Sequence, residues 1–158
     1  FSISLVSTFT DTFYQTPTGE FSALSVAVAS GELPAYAAPI GFGDLNGTDV
    51  GAVEQKDRLK VSYRRGDYRA SLSALRIGEL ADSGEQSAGF MYLIPSMTTA
   101  DLSISKNVEL GGNKGRVKFV VKNIADERAP LADGYNGFFS DVHSDMGRNY
   151  YLELRVDL

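Results

Sequence analysis

From Arg148 to Leu158 the chain alternates without a break. Tyr150, Leu152, Leu154, Val156 and Leu158 fall on one set of positions, and Asn149, Tyr151, Glu153, Arg155 and Asp157 on the other. Side chains of a β-strand point alternately to its two faces, so this is a strand with one apolar and one charged side. A soluble sandwich would use such a strand to cover a core. The length argues for another setting, because strands in soluble sheets usually run about five or six residues, whereas a tilted strand of about ten crosses the hydrocarbon of a bilayer. The Tyr150-Tyr151 pair near one end fits an interfacial aromatic girdle.

The same period recurs along the chain. Phe1 to Thr10 alternates and continues to an aromatic end at Phe13-Tyr14; a short turn over Gln15 to Gly19 leads into Phe21 to Ser30, where Leu24, Val26 and Val28 alternate with small residues. These two stretches are expected to pair as a hairpin. Gly31 to Lys56 has prolines, glycines and no period, the mark of a long loop. Arg58 to Arg65 and the stretch after Tyr68 alternate on either side of a tight turn at Gly66-Asp67, and a second long loop is expected from Glu79 to Ser96. Thr98 to Leu110, broken in pattern only by Lys106, and Val117 to Val121 flank a turn at Gly111 to Gly115. Ala125 to Gly147 is the third long loop before the final strand.

Seven strands are thus expected, in antiparallel meander order, with connections that go short, long, short, long, short, long. Short turns on one rim and long loops on the other are the asymmetry of outer-membrane barrels. Leu59, Val61, Leu102, Ile104, Phe119, Val121, Leu152, Leu154 and Val156 are then expected to meet lipid, and Lys60, Arg64, Lys118, Lys122, Glu153 and Arg155 the lumen. With seven strands, the first runs in the same sense as the last and two edges stay open, so further strands are expected ahead of Phe1.

Composition agrees with a barrel without requiring one. With 158 residues the chain can bury a sizeable core, and a mean hydropathy of -0.12 leaves no apolar run near the ~18 residues of a membrane helix. A net charge of -5 argues against a general nucleic-acid binder. The absence of cysteine excludes disulfides, thiolate metal sites and a cysteine nucleophile. No initiator Met or charged targeting segment opens the chain, as expected of a mature product or an internal piece.

Three stretches carry a resemblance. Thr98-Thr99-Ala100-Asp101-Leu102-Ser103-Ile104 resembles the third strand from the end of a TonB-dependent outer-membrane receptor, and Val121-Lys122-Asn123-Ile124-Ala125-Asp126-Glu127 resembles that family's penultimate strand and its Asn-apolar-x-Asp exit. Arg148 to Leu158 resembles its closing strand. The resemblance covers about the last sixty residues. It implies that residues 1–158 are the C-terminal part of a 22-stranded barrel in the bacterial outer membrane, filled by an N-terminal plug absent from these residues. The TonB protein would act through that missing part to drive uptake of a small nutrient such as a siderophore, vitamin or glycan. The family usually ends in Phe where this chain ends in Leu158, which bears on recognition by the assembly machinery. A secreted β-sandwich binding module and another outer-membrane barrel, a porin or an autotransporter, remain the alternatives.

Candidate ligand contacts lie in the third loop. Tyr135, Asn136, Phe138 and Phe139 place aromatics in a glycine-rich segment, where they are costly to expose and useful for stacking, although packing on neighbouring loops explains them equally well. Asp141, His143 and Asp145 would share one side of an extended strand, yet a solvated polar loop is the commoner meaning of such a pattern and no metal site is expected. Asp44 to Asp49 resembles a calcium loop but has Gln55 where a bidentate Glu is needed, so a turn is expected. Arg65-Gly66-Asp67 is explained by its turn. One histidine beside Ser140 and Ser144, with no nucleophile elbow, gives no ground for an enzyme, and no cofactor is expected.

Overall fold

The structure, a computed structural model, describes residues 1–34, 42–87, 90–134 and 136–157. Among the described residues the chain is all-β apart from one helix. In order it forms β1 (Ser2–Phe9), β2 (Tyr14–Gln15), α1 (Glu20–Ala29), β3 (Gly43–Asp44), β4 (Gln55–Arg65), β5 (Tyr68–Ile77), β6 (Leu80–Ser87), β7 (Phe90–Ile94), β8 (Met97–Leu110), β9 (Asn113–Lys122) and β10 (Asn149–Val156). The long strands make one antiparallel sheet in the order β1-β4-β5-β8-β9-β10, a meander of six strands. Among the described residues β1 and β10 are its open edges.

Six strands, not seven, because Phe21 to Ser30 is a helix. The alternation of Leu24, Val26 and Val28 suits a strand, but Ala23, Leu24, Ala27 and Ala29 are strong helix formers and Glu20 complements the positive end of the first turn. The far end is closed by Gly31 at φ 78°: Glu32 N–H donates to Ala27 O and Gly31 N–H to Val28 O, the pairing of a Schellman terminus. With the hairpin gone, β1 pairs directly with β4, from Ser2↔Ser62 to Phe9↔Gln55. β1 therefore runs toward the long-loop rim and β10 away from it, opposite in sense rather than alike. The connections now go long, short, long, short, long.

Both short turns are built for their hairpins. Gly111 and Gly112, at φ 59° and 87°, fill the two positions where a two-residue hairpin turn needs positive φ, so β9 starts at Asn113, earlier than the sequence suggests. The second long connection is not structureless either. β6 and β7 pair as a small hairpin of their own, from Leu80↔Ile94 to Ser87↔Phe90.

Register sorts the side chains onto two unlike faces. Rows such as Ile3–Val61–Leu72–Leu102–Val121–Tyr150 lie on one face, each pair directly opposed across the strands. Ser2–Ser62–Ser71–Ser103–Val120–Tyr151 and Arg64–Arg69–Ser105–Lys118–Glu153 lie on the other. The expected division of apolar and charged residues between faces holds. The apolar face is open, with Leu5 67% and Leu152 75% exposed, and no second layer of described residues covers it.

What core there is sits at the long-loop rim. Val53, Ile77, Leu80 and Ile94 form a buried cluster, joined by partly buried Leu75, Ala132, Phe139 and Val142. Leu75 and Ile77 belong to the polar side of β5, so the loops fold in over that side. Backbone bonds tie the loops together: Ala81 N–H donates to Gly47 O at 2.7 Å, and Asp49 N–H to Ala81 O at 3.0 Å.

Candidate functional site

The loop cap carries most of the residues singled out in the sequence. Its third segment leaves β9 through a turn centred on Asn123, which is buried and adopts φ 52°. The Asn123 amide N–H donates to Asp101 Oδ1, its side-chain NH₂ to Glu127 O, and its side-chain oxygen accepts from Glu127 N–H. Asp126 then accepts Arg148 N–H at 2.7 Å, and a Cβ on Gly147 would collide with the Asp126 carboxylate. The Asn-apolar-x-Asp stretch is thus a local clamp that brings the loop's two ends together.

Within the loop the expected side-by-side trio does not form. The chain turns at Phe139, whose carbonyl accepts from both Val142 N–H and His143 N–H, so the two-residue spacing of Asp141, His143 and Asp145 does not place them on one face. Asp141 is exposed. Asp145 is occupied by Arg128 through a bidentate pair and by Ala129 N–H, which hold its carboxyl below the usual range. His143 is only 3% exposed, and neither ring nitrogen has a hydrogen-bond partner. Burial, reinforced by the Lys56 charge, pushes its imidazole below the ordinary histidine value and keeps it neutral. Among the described residues no cluster of His, Asp and Glu is arranged to hold a metal.

The aromatic candidates separate. Phe139 packs against the buried cluster, whereas Asn136 is exposed and Phe138 half-buried; Tyr135 lies outside the described residues. Asp44, at the calcium-like stretch, accepts N–H bonds from Phe13 and Asn46, as a turn requires. Beside the cap is a groove of about 720 Å³ whose walls include Thr8, Asp49, Lys56, Phe139, Asp141 and Val142. It joins the first loop to the third.

No protein-family model matches this chain, and neither a curated protein nor a solved structure matches it significantly.

A second candidate surface is the polar face itself. Of the 15 Lys and Arg residues in the chain, ten project from it: Lys56, Arg58, Lys60 and Arg64 on β4, Arg69 on β5, Lys114, Arg116, Lys118 and Lys122 on β9, and Arg155 on β10. Among the described residues Asp101, Glu109 and Glu153 oppose them there, with Asp157, just past β10, paired to Arg155. A chain of net charge -5 therefore carries a positive face. Sequence reading found Lys60, Arg64, Lys118 and Lys122 on this side but missed Arg69 opposite Arg64. The signal was present, since a two-residue turn at Gly66-Asp67 sets that pairing.

Proposed function

We propose that this chain supplies six strands and the outer loops of a transmembrane β-barrel in the bacterial outer membrane, of the TonB-dependent receptor kind, which takes up a small nutrient. The apolar face meets lipid, the basic face lines the lumen, and the loop cap offers recognition groups at the cell surface. Binding and transport, not catalysis, are its work. Energy would come from the TonB protein through an N-terminal plug seated against the lumen wall.

One observation carries this reading: the apolar face is a band with two marked borders. At the short-turn rim Tyr68 lies under the Lys106 ammonium, 5.0 Å from the ring centroid, and Phe1 meets Tyr63 edge-on at 6.4 Å. Lys106, the residue that broke the alternation, is thus an apolar stem with its charge lifted to a girdle position. At the other rim the same face ends in the Asp57–Arg76 ion pair, 3.3 Å long. From Tyr68 to Arg76 the strand covers roughly 27 Å at about 3.4 Å per residue. At a tilt of about 40° that is roughly 21 Å of depth, close to the ~25 Å apolar band of such barrels. Burying a large aliphatic side chain is worth about 1.5–3 kcal/mol, so a whole face of them calls for a covering, and lipid supplies it.

The test is made on the full-length protein. Recovery in the outer-membrane fraction, a need for detergent and heat-modifiable migration are the expected results. A protein that stays soluble, monomeric and cooperatively folded without detergent would reject the barrel in favour of a sandwich.

A further inference from the structure

The register places Arg64 directly opposite Arg69 on neighbouring strands of the polar face. Like charges in that position repel, and an anion held between them would relieve the repulsion. Among the described residues neither forms an ion pair. The carboxylate in their row, Glu153, stands beyond Ser105 and is engaged by Lys118 at 3.8 Å.

Arg69 shows the same deficit at atomic level. Its Nε is buried and has no hydrogen-bond partner, a state that costs free energy until an acceptor arrives. A guanidinium presents Nε–H and a terminal N–H side by side, the spacing that two oxygens of one phosphate or carboxylate accept. Around it lies a groove of about 310 Å³ lined by Lys60, Arg64, Arg69, Ser71, Ser103 and Ser105. The Ser71 and Ser103 hydroxyls are 2.8 Å apart; one donates to the other, and the acceptor's own hydrogen is left to donate outward.

We propose that Lys60, Arg64 and Arg69, with the Ser71–Ser103 hydroxyl pair, form an oxyanion-binding site on the basic face that takes a solute bearing a phosphate or carboxylate group. The site rests on reading this face as the lumen wall, where such a solute would pass near the short-turn rim. The surrounding excess of positive charge raises the local anion concentration, and the arginine fork gives the position.

Full-length protein in detergent, held at constant ionic strength with chloride, is titrated calorimetrically with inorganic phosphate and separately with citrate. Saturable binding is expected. The Arg64→Gln/Arg69→Gln variant loses about tenfold or more in affinity, the scale of two charge-assisted hydrogen bonds. Arg148→Gln, an exposed residue of the third loop outside the basic face, keeps wild-type affinity. Tighter phosphate binding marks a phosphoryl group as the ligand, and tighter citrate binding a carboxylate; either supports the site. Should the double variant fail to fold, Arg69→Lys keeps the charge but loses the fork, and it still weakens binding. Unsaturable binding, or affinity unchanged in these variants, overturns the proposal. Heat-modifiable migration of the same samples reports on the barrel independently, so a soluble protein that binds phosphate through Arg64 and Arg69 keeps the site and loses the barrel.

Discussion

Arg128 grips Asp145 across 17 positions of the third loop, Nε donating to Oδ1 at 3.0 Å and Nη2 to Oδ2 at 2.7 Å. The pair turns a candidate ligand into a structural tie, since Ala129 N–H also donates to Asp145 Oδ1. Asp145→Asn is expected to raise proteolysis and amide exchange across residues 125–147 and to leave barrel migration unchanged. The carboxyl is held low, so the tie is present above the unfolded value near 3.9 and is lost only as pH falls through the folded value. At neutral pH it is insensitive to acidification, and loop release between pH 7 and 5 caused by Asp145 would contradict this.

Acid sensitivity is expected from His143 instead. Its folded value is depressed, so its neutral form stabilises the cap fully above about 6.5, and that contribution falls away as pH drops from there through the folded value. The charge of Lys56 opposes a second one beside it. Protection factors against amide exchange at residues 139–143, taken relative to the intrinsic rate at each pH, should fall between pH 7 and 5 in wild type and stay level in His143→Gln. Equal acid response in both would assign the effect elsewhere.

Leu102 and Ser103 are adjacent in sequence and lie on opposite faces of the sheet, which the proposed barrel would turn to lipid and to the lumen. Leu102 lies midway between Thr98, in the Asp57–Arg76 row, and Lys106, with Leu72 and Val121 beside it. Leu102→Lys should cost about 2–4 kcal/mol of barrel stability, the price of a cation at mid-bilayer. Ser103→Lys, on the polar face, should cost under about 1 kcal/mol. Urea unfolding in lipid vesicles measures both, and similar losses would reject the assignment of faces.

The loop aromatics should separate by role. Phe139→Ala removes packing from the Val53–Ile77–Leu80–Ile94 cluster and should loosen the cap by about 1–2 kcal/mol. Phe138→Ala and Asn136→Ala should weaken nutrient capture by cells while leaving cap exchange rates unchanged. Uptake lost only in Phe139→Ala would make the cap's packing, not its exposed groups, the determinant.

How far the sequence could be read followed how local each cause was. β1, β4, β5, β8, β9 and β10 announce themselves because a strand in a sheet with one apolar and one charged face must alternate. Glu20 to Ala29 misled because Leu24, Val26 and Val28 alternate by accident, while the better signals were the three alanines and Gly31 just past the end. The β6–β7 hairpin was hidden by its polar first strand and is held by the cap, a long-range cause. Asp141, His143 and Asp145 share a face only if the chain is extended there, and Phe139 O turns it instead. The Arg64–Arg69 opposition was legible too, because the Gly66-Asp67 turn fixes the register of the two strands it joins.

Because β1 and β10 run in opposite senses, the sheet behaves as a wall assembled from whole hairpins. Removing β8 and β9 together would bring β5 beside β10 still antiparallel, with their apolar sides still aligned. Removing either strand alone would force parallel neighbours and demand a crossover that neither short turn can make. Such a wall can widen or narrow in steps of two strands without redesign of any face. Its width can therefore change by duplication or loss of a short gene segment, and each added hairpin would bring one more loop to the long-loop rim.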